Sequence, residues 1–183
     1  MPRVIAGSRG SRRISAPKGS ETRPTGDRVR AAVFSTLYSL TELEGAVVMD
    51  LYAGSGAVGL EALSRGAEQA VFVEKSRNAL TALRTNISEL DFLENCKVIP
   101  GDVETWLSTA ASAKDFVYLD PPYARSVHRD LALLVENGWL SRNAVVAVER
   151  ASRDTPVEWP EGLQPIKVRR YGITSIFYAR FGG

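Results

Sequence analysis

The sequence contains one cysteine, Cys96, and one histidine, His128. A single cysteine excludes a disulfide framework and a cysteine-rich zinc site, so no metal is expected. No apolar run approaches the length of a membrane helix, and the N-terminus lacks the apolar core of a signal peptide. A cytoplasmic protein without a membrane partner is therefore expected. Internal repeats and low-complexity blocks are also missing. At 183 residues the chain is long enough to bury one real core.

The formal charge of +2 hides an asymmetry. Residues 1–30 hold eight basic and two acidic side chains, a net of +6, and the remainder carries −4. Gly and Ser interleave the arginines from Gly7 to Arg13 and expose them. A basic arm on a mildly acidic body points to a polyanion, and nucleic acid is the natural candidate.

Apolar periodicity organises the rest. The stretches 3–6 and 13–14 flank the Gly/Ser-rich segment and predict a short hairpin; residues 23–26 read as a turn. Asp27 opens a helix with Val33, Phe34, Leu37 and Leu40 on one side. Strands then alternate with helices: strand 46–51, helix 57–65, strand 69–74, helix 76–91, strand 97–100, helix 103–111, strand 115–119, helix 127–136 and strand 144–149. Segments 163–170 and 174–181 read as a closing hairpin. This alternation demands a doubly wound, mainly parallel α/β sheet, Rossmann-like and seven-stranded, with an antiparallel C-terminal hairpin. The expected division is a basic N-terminal arm over residues 1–25 and one catalytic domain over 26–183.

Two motifs carry the chemistry. The first follows the apolar run Val47–Met49 and comprises Asp50, Leu51, Tyr52, Ala53, Gly54, Ser55, Gly56 and, three residues on, Gly59. A glycine-rich turn between a strand and a helix lets the backbone approach a ligand. The spacing also satisfies the dinucleotide pattern, so the glycines alone are weak evidence. Asp50 tips the reading. A carboxylate at this strand end would repel a pyrophosphate but can accept from the methionyl ammonium of S-adenosylmethionine. Glu74 closes the second strand, where an acid accepts ribose hydroxyls, and Asp102 follows the third, where a carboxylate can accept from an adenine amine.

The second motif, Asp120-Pro121-Pro122-Tyr123, follows the apolar run Phe116–Leu119. An exocyclic base amine is a poor nucleophile, because its lone pair is delocalised into the ring. Hydrogen bonds from its two N–H groups to the Asp120 carboxylate and the Pro121 carbonyl would free that lone pair for a sulfonium methyl. Two prolines stiffen the turn and preorganise the acceptors, and Tyr123 offers a ring for stacking the base. A base at His128 is not needed, because the amine becomes acidic once methylated; Cys96 precedes the third strand and is not beside a proline, as the nucleophile of a C5-cytosine methyltransferase would be. Trp106, Trp139 and Trp159 read as packing residues.

These residues resemble the RsmD-type 16S ribosomal RNA guanine-N2 methyltransferases over nearly the whole chain. The resemblance is carried by residues 3–13, by Arg23 to Arg30, by Asp50 to Arg65, by Asp120 to Tyr123, by Glu136 to Leu140, and by Tyr171 and Gly172. The Arg23-to-Arg30 segment and the basic hairpin are its most specific parts. It implies that Tyr52, Ala53, Gly54 and Gly56, together with Asp50, Glu74, Lys75, Asp102 and Val103, hold S-adenosylmethionine. Thr25 would cover that site. Asp120 to Tyr123 would hold the guanine amine, and Arg3, Arg9, Arg12, Arg13, Arg23 and Arg28 would meet the RNA. The partner implied is 16S ribosomal RNA or the small ribosomal subunit particle, and the protein is expected to be a monomer. The chain departs from the pattern at Ala31, where an acid is frequent, and at Tyr123, where some members have Phe. A DNA amino-methyltransferase uses the same chemistry but needs a target-recognition domain for which this chain has no room. A non-catalytic RNA-binding assembly module would have no use for Asp120 or Gly54.

Overall fold

Five strands run parallel: β1 (Val47–Leu51), β2 (Gln69–Glu74), β3 (Cys96–Pro100), β4 (Lys114–Leu119) and β5 (Leu140–Ala151). Two antiparallel strands, β6 (Leu163–Tyr171) and β7 (Thr174–Phe181), complete a seven-stranded sheet in the order β3-β2-β1-β4-β5-β7-β6. The computed structural model describes residues 2–17, 26–122 and 125–182. Arg23, Thr25 and Tyr123 therefore lie outside the described residues, as does most of the turn expected at 23–26. Among the described residues, no helix is long and apolar enough to cross a membrane.

Both faces of the sheet are covered, and for that reason its strands read as nearly continuous apolar runs. Alternate residues serve opposite layers. Val48, Phe72, Phe116 and Ala147 pack toward α1 (Gly26–Leu37), α2 (Ala57–Ser64) and α3 (Arg77–Glu89). Met49, Val73, Val117 and Val148 pack toward α4 (Val103–Leu107) and α5 (His128–Glu136). The winding reverses between β1 and β4. That switch point opens a crevice outside the carboxyl ends of the strands.

Two elements differ from the periodicity reading. Helix α4 stops at Leu107, where Ser108 takes the C-cap position. Strand β5 begins at Leu140, four residues before its apolar run. Its early residues are polar, but Leu140 pairs with Lys114 and a register shift separates that pair from Phe116–Val145. Backbone pairing does not need apolar side chains, so the apolar pattern is silent there.

The expected N-terminal hairpin is present as an antiparallel bridge between Arg3 and Arg13. Its stem is buried: Val4 and Ile14 are both 0% exposed and belong to the core shared with α1 and α2. Gly7 lies against α2 so closely that a Cβ there would fall 1.7 Å from the Ser64 carbonyl oxygen. Glu61 of α2, fully buried, accepts from the Ile5 and Ala6 N–H groups at 2.6 and 3.1 Å and from Arg65 Nε at 2.6 Å. Arg30 Nε of α1 stands 3.7 Å away. Removing Glu61 would strand two guanidinium groups and two amides. Glu61→Ala is expected to cost about 3–5 kcal/mol of stability, read by urea unfolding. A loss below about 1 kcal/mol would mean that apolar packing alone fastens the hairpin.

Candidate active site

A cavity of about 510 Å³ lies at the carboxyl ends of the parallel strands. This is within the range of sites that enclose a small ligand. Of the residues singled out from the sequence, Tyr52, Gly54, Glu74, Lys75, Asp102, Val103, Asp120, Pro121 and Pro122 all line it. The hairpin stem (Pro2, Ala16, Pro17) and α1 (Val29, Arg30) border it as well.

The turn after β1 is left-handed at Tyr52 (φ 63°), Gly54 (φ 57°) and Gly56 (φ 79°). Gly54 faces open space on the side where a Cβ would stand. Its N–H donates to Glu74 Oε2 at 2.8 Å, while Oε1 accepts from the Ser76 N–H at 2.7 Å. A carboxylate oxygen has two lone-pair directions, so Glu74 can hold the turn and still receive ligand hydroxyls. Asp102 caps α4 by accepting from the Glu104 N–H at 3.0 Å and is paired with Lys75 at 3.7 Å. The glycine turn and the two acids at neighbouring strand ends therefore fit a nucleoside with a cationic amino-acid tail.

Asp50, Ala53 and Gly56 are not among the described residues that line the cavity. Asp50 is 3% exposed and accepts from the Gly59 N–H at 2.9 Å, so its carboxylate holds the start of α2. Burial pushes its pKa up to about 7; the Gly59 bond opposes this, Glu74 adds to it and Arg30 offsets it. Gly56 is required by packing, since a Cβ would stand 2.3 Å from Leu83 Cδ1.

On the catalytic side, the loop after β4 is tied at both ends. The Asp120 N–H donates to the Leu51 carbonyl at 3.4 Å, and the Arg125 N–H to the Pro122 carbonyl at 2.9 Å. Arg125 reaches Asp130 at 3.2 Å and Asp102 at 3.9 Å, and stands over the Tyr52 ring at 5.6 Å. The Tyr52 hydroxyl donates to Asp130. One arginine thus connects the Tyr52 and Asp102 side of the crevice to the Asp120 loop.

Among the lining residues that the sequence did not single out are Tyr118 and Glu149. The Tyr118 hydroxyl donates to Glu149, and burial holds that hydroxyl well above its usual pKa. Glu149 shares with Glu74 the signature of an acid directly after an apolar run, although β5 continues past it to Ala151. Of the basic residues, Arg3, Arg12, Arg13 and Arg28 are exposed. Arg9 donates to the Leu90 carbonyl at 2.8 Å and stacks on Phe92, while Arg12 donates to the Glu89 carbonyl. Both guanidinium groups serve the carboxyl end of α3, where a helix favours cations.

Comparison with known proteins agrees with this geometry. The family described as Conserved hypothetical protein 95 matches residues 2–180. Ribosomal RNA small subunit methyltransferase D of Haemophilus influenzae is 33% identical over 177 residues, which cover 94% of this chain and 90% of that protein. The Escherichia coli K12 protein of the same name is 35% identical over 148 residues, covering 80% of this chain and 73% of its own length. The solved structure of yhhF from Escherichia coli matches with a TM-score of 0.88 at 28% identity, covering 98% of this chain and 97% of that one.

The raised pKa of Asp50 has a measurable consequence. Folding strengthens its hold on a proton, so stability falls as pH rises through the window between the ordinary carboxylate value and about 7, then levels off. Asp50→Asn keeps an oxygen for the Gly59 N–H and has no charge to bury. The variant should gain on wild type by up to roughly 4 kcal/mol across that window. Unfolding curves at pH 5 and pH 8 test this. Parallel pH profiles for the two proteins would contradict it.

Proposed function

The chain belongs to the conserved hypothetical protein 95 family, that of ribosomal RNA small subunit methyltransferase D, and we propose that it transfers the methyl group of S-adenosylmethionine to the exocyclic N2 amine of a guanine in 16S ribosomal RNA. One observation carries this reading: the glycine turn of β1 and the Asp120-Pro121-Pro122 loop of β4 end adjacent strands and line one cavity.

When bound, S-adenosylmethionine supplies an electrophilic methyl on a sulfonium. The protein's own residues do the rest. Gly54 gives backbone access, Glu74 accepts the ribose hydroxyls, and Asp102 with Val103 faces the adenine. Asp120 and the Pro121 carbonyl accept the two amine N–H bonds and direct the nitrogen lone pair at the methyl. The proton departs after transfer, when the nitrogen is acidic, with Asp120 as its first acceptor. Tyr123 would stack on the base, and Thr25 would close over the cofactor. The substrate is 16S ribosomal RNA or the small-subunit particle, met by a cytoplasmic monomer that needs no metal.

Asp120→Ala should leave affinity for S-adenosylhomocysteine near wild type and lower methyl transfer by on the order of 100-fold or more. Calorimetry and tritium transfer to small-subunit RNA from cells lacking the gene separate the two. Analysis of the digested product for N2-methylguanosine identifies the base. Full turnover in Asp120→Ala would overturn the assignment.

RNA binding falls to the exposed cations beside the cavity. Arg3 and Arg13 form the bridge next to Pro2, which lines the site. Arginines that meet phosphates position RNA without reading it and make binding salt-dependent. Arg3→Ala with Arg13→Ala should weaken RNA binding and flatten the log–log salt slope by roughly 0.7–0.9 for each phosphate no longer neutralised. Arg9→Ala should act on stability, since its guanidinium is committed to α3. Equal salt slopes for wild type and the double variant would move the RNA surface elsewhere.

A further inference from the structure

Asp120 has a carboxylate neighbour that the proposed chemistry has not used. Leu119 of β4 pairs with Val148 of β5, so the next residue of each, Asp120 just past the end of β4 and Glu149 still within β5, stand at adjacent positions. Both line the cavity. Parallel strands lie about 4.7–4.9 Å apart, a separation that two side chains can close onto adjacent positions of one ring. The Tyr118 hydroxyl, two residues before Asp120, donates to Glu149 and fixes one of its oxygens. That hydroxyl is held protonated by burial, so it stays a donor to Glu149.

We propose that Glu149 is the residue that selects guanine, by accepting the base's N1–H while Asp120 accepts from the neighbouring N2 amine. This rests on the methyltransferase reading above and names the feature of the substrate that the site distinguishes. Guanine alone among the amine-bearing bases places two donors, N1–H and N2–H, next to each other. Adenine presents its amine beside the N1 lone pair, and cytosine beside the N3 lone pair. A carboxylate facing either lone pair would lose its water and gain repulsion. A site built from two acceptors therefore excludes both, through the same asymmetry that makes an unpaired buried polar group costly. Tyr118 is a positioning residue in this scheme: it touches Glu149 and not the base.

The test uses an RNA fragment spanning the mapped target, made with either guanosine or 2-aminopurine riboside at that one position. The analogue keeps the amine but carries a lone pair at N1. Wild type should prefer guanosine by on the order of 100-fold or more in kcat/KM. Glu149→Gln, whose amide can donate to the analogue's N1, should lose guanosine activity and narrow the preference at least tenfold, on the order of one hydrogen bond to a charged group. Glu149→Ala should also narrow it, and it serves if the glutamine variant does not fold. S-adenosylhomocysteine affinity near wild type reports that the variants are intact. A variant that loses both substrates in the same proportion would overturn the proposal, because a purely structural Glu149 predicts that result. If wild type forms no N2-methylguanosine either in the guanosine RNA or in small-subunit particles from cells lacking the gene, the methyltransferase reading fails and this inference falls with it. If it does and the preference survives in both variants, only the inference fails.

Discussion

The turn between β1 and α2 cannot hold its own shape. It contains three left-handed residues, one of them a tyrosine, for which that conformation is strained. Three side chains from elsewhere grip it. Glu74 takes the Gly54 N–H, Asp50 takes the Gly59 N–H, and Asn86 donates to the Ser55 carbonyl at 2.9 Å. Asn86 is fully buried and also exchanges two hydrogen bonds with the Ser15 backbone, at 2.7 and 3.0 Å. The ligand-facing turn and the N-terminal hairpin are thus clamped by one amide. The cavity takes its shape from that clamp, because the hairpin stem forms part of its wall.

The three glycines of the turn motif do different work, which is why their spacing alone says so little about a ligand. Only Gly54 faces the cavity. Gly56 and Gly59 let α2 settle onto β2: a Cβ at Gly59 would stand 2.4 Å from the Phe72 ring. Close helix–strand packing after the first strand is common to folds with different cofactors. The acids Glu74, Asp102 and Asp120 that line the cavity say more about a ligand than the glycine spacing does.

The alternation of strands and helices is legible because both faces of this sheet are buried, and each strand announces itself as an apolar run. The site residues that end strands are legible for the same reason. Glu74, Asp102 and Asp120 each follow such a run, and the topology brings them to one edge. What the sequence conceals is partners distant along the chain. Nothing near Glu61 signals that it accepts from residues 5 and 6. Nothing near Asn86 signals Ser15 and Ser55. The arginines of the hairpin look alike in sequence, yet Arg9 and Arg12 donate to carbonyls at the end of α3, although Arg12 is as exposed as Arg3 and Arg13. Charge counting treats them as one basic arm, and only packing separates those that hold the fold from those left for a partner. Asp50 reads as a ligand group because it sits at the right strand end. Its side chain accepts from the Gly59 N–H, one of the free N–H groups at the N-terminus of α2.

The same sorting explains how a polyanionic substrate can be served by a site lined with acids. Glu74, Asp102, Asp120 and Glu149 give the cavity a negative interior, set against Lys75 and Arg30. Phosphates are repelled from such an interior, whereas a neutral base with its donors foremost, or a cofactor bearing a sulfonium and an ammonium, is not. The exposed arginines Arg3 and Arg13 belong to the hairpin whose stem borders the cavity, so charge of the opposite sign is carried by the same element. Under the proposed function, a strand held by its backbone would present an unstacked base to the cavity more readily than a phosphate, which would meet carboxylates there. The division between acidic cavity and basic hairpin favours base extrusion over backbone insertion, and it follows from which charges the fold consumes and which it leaves exposed.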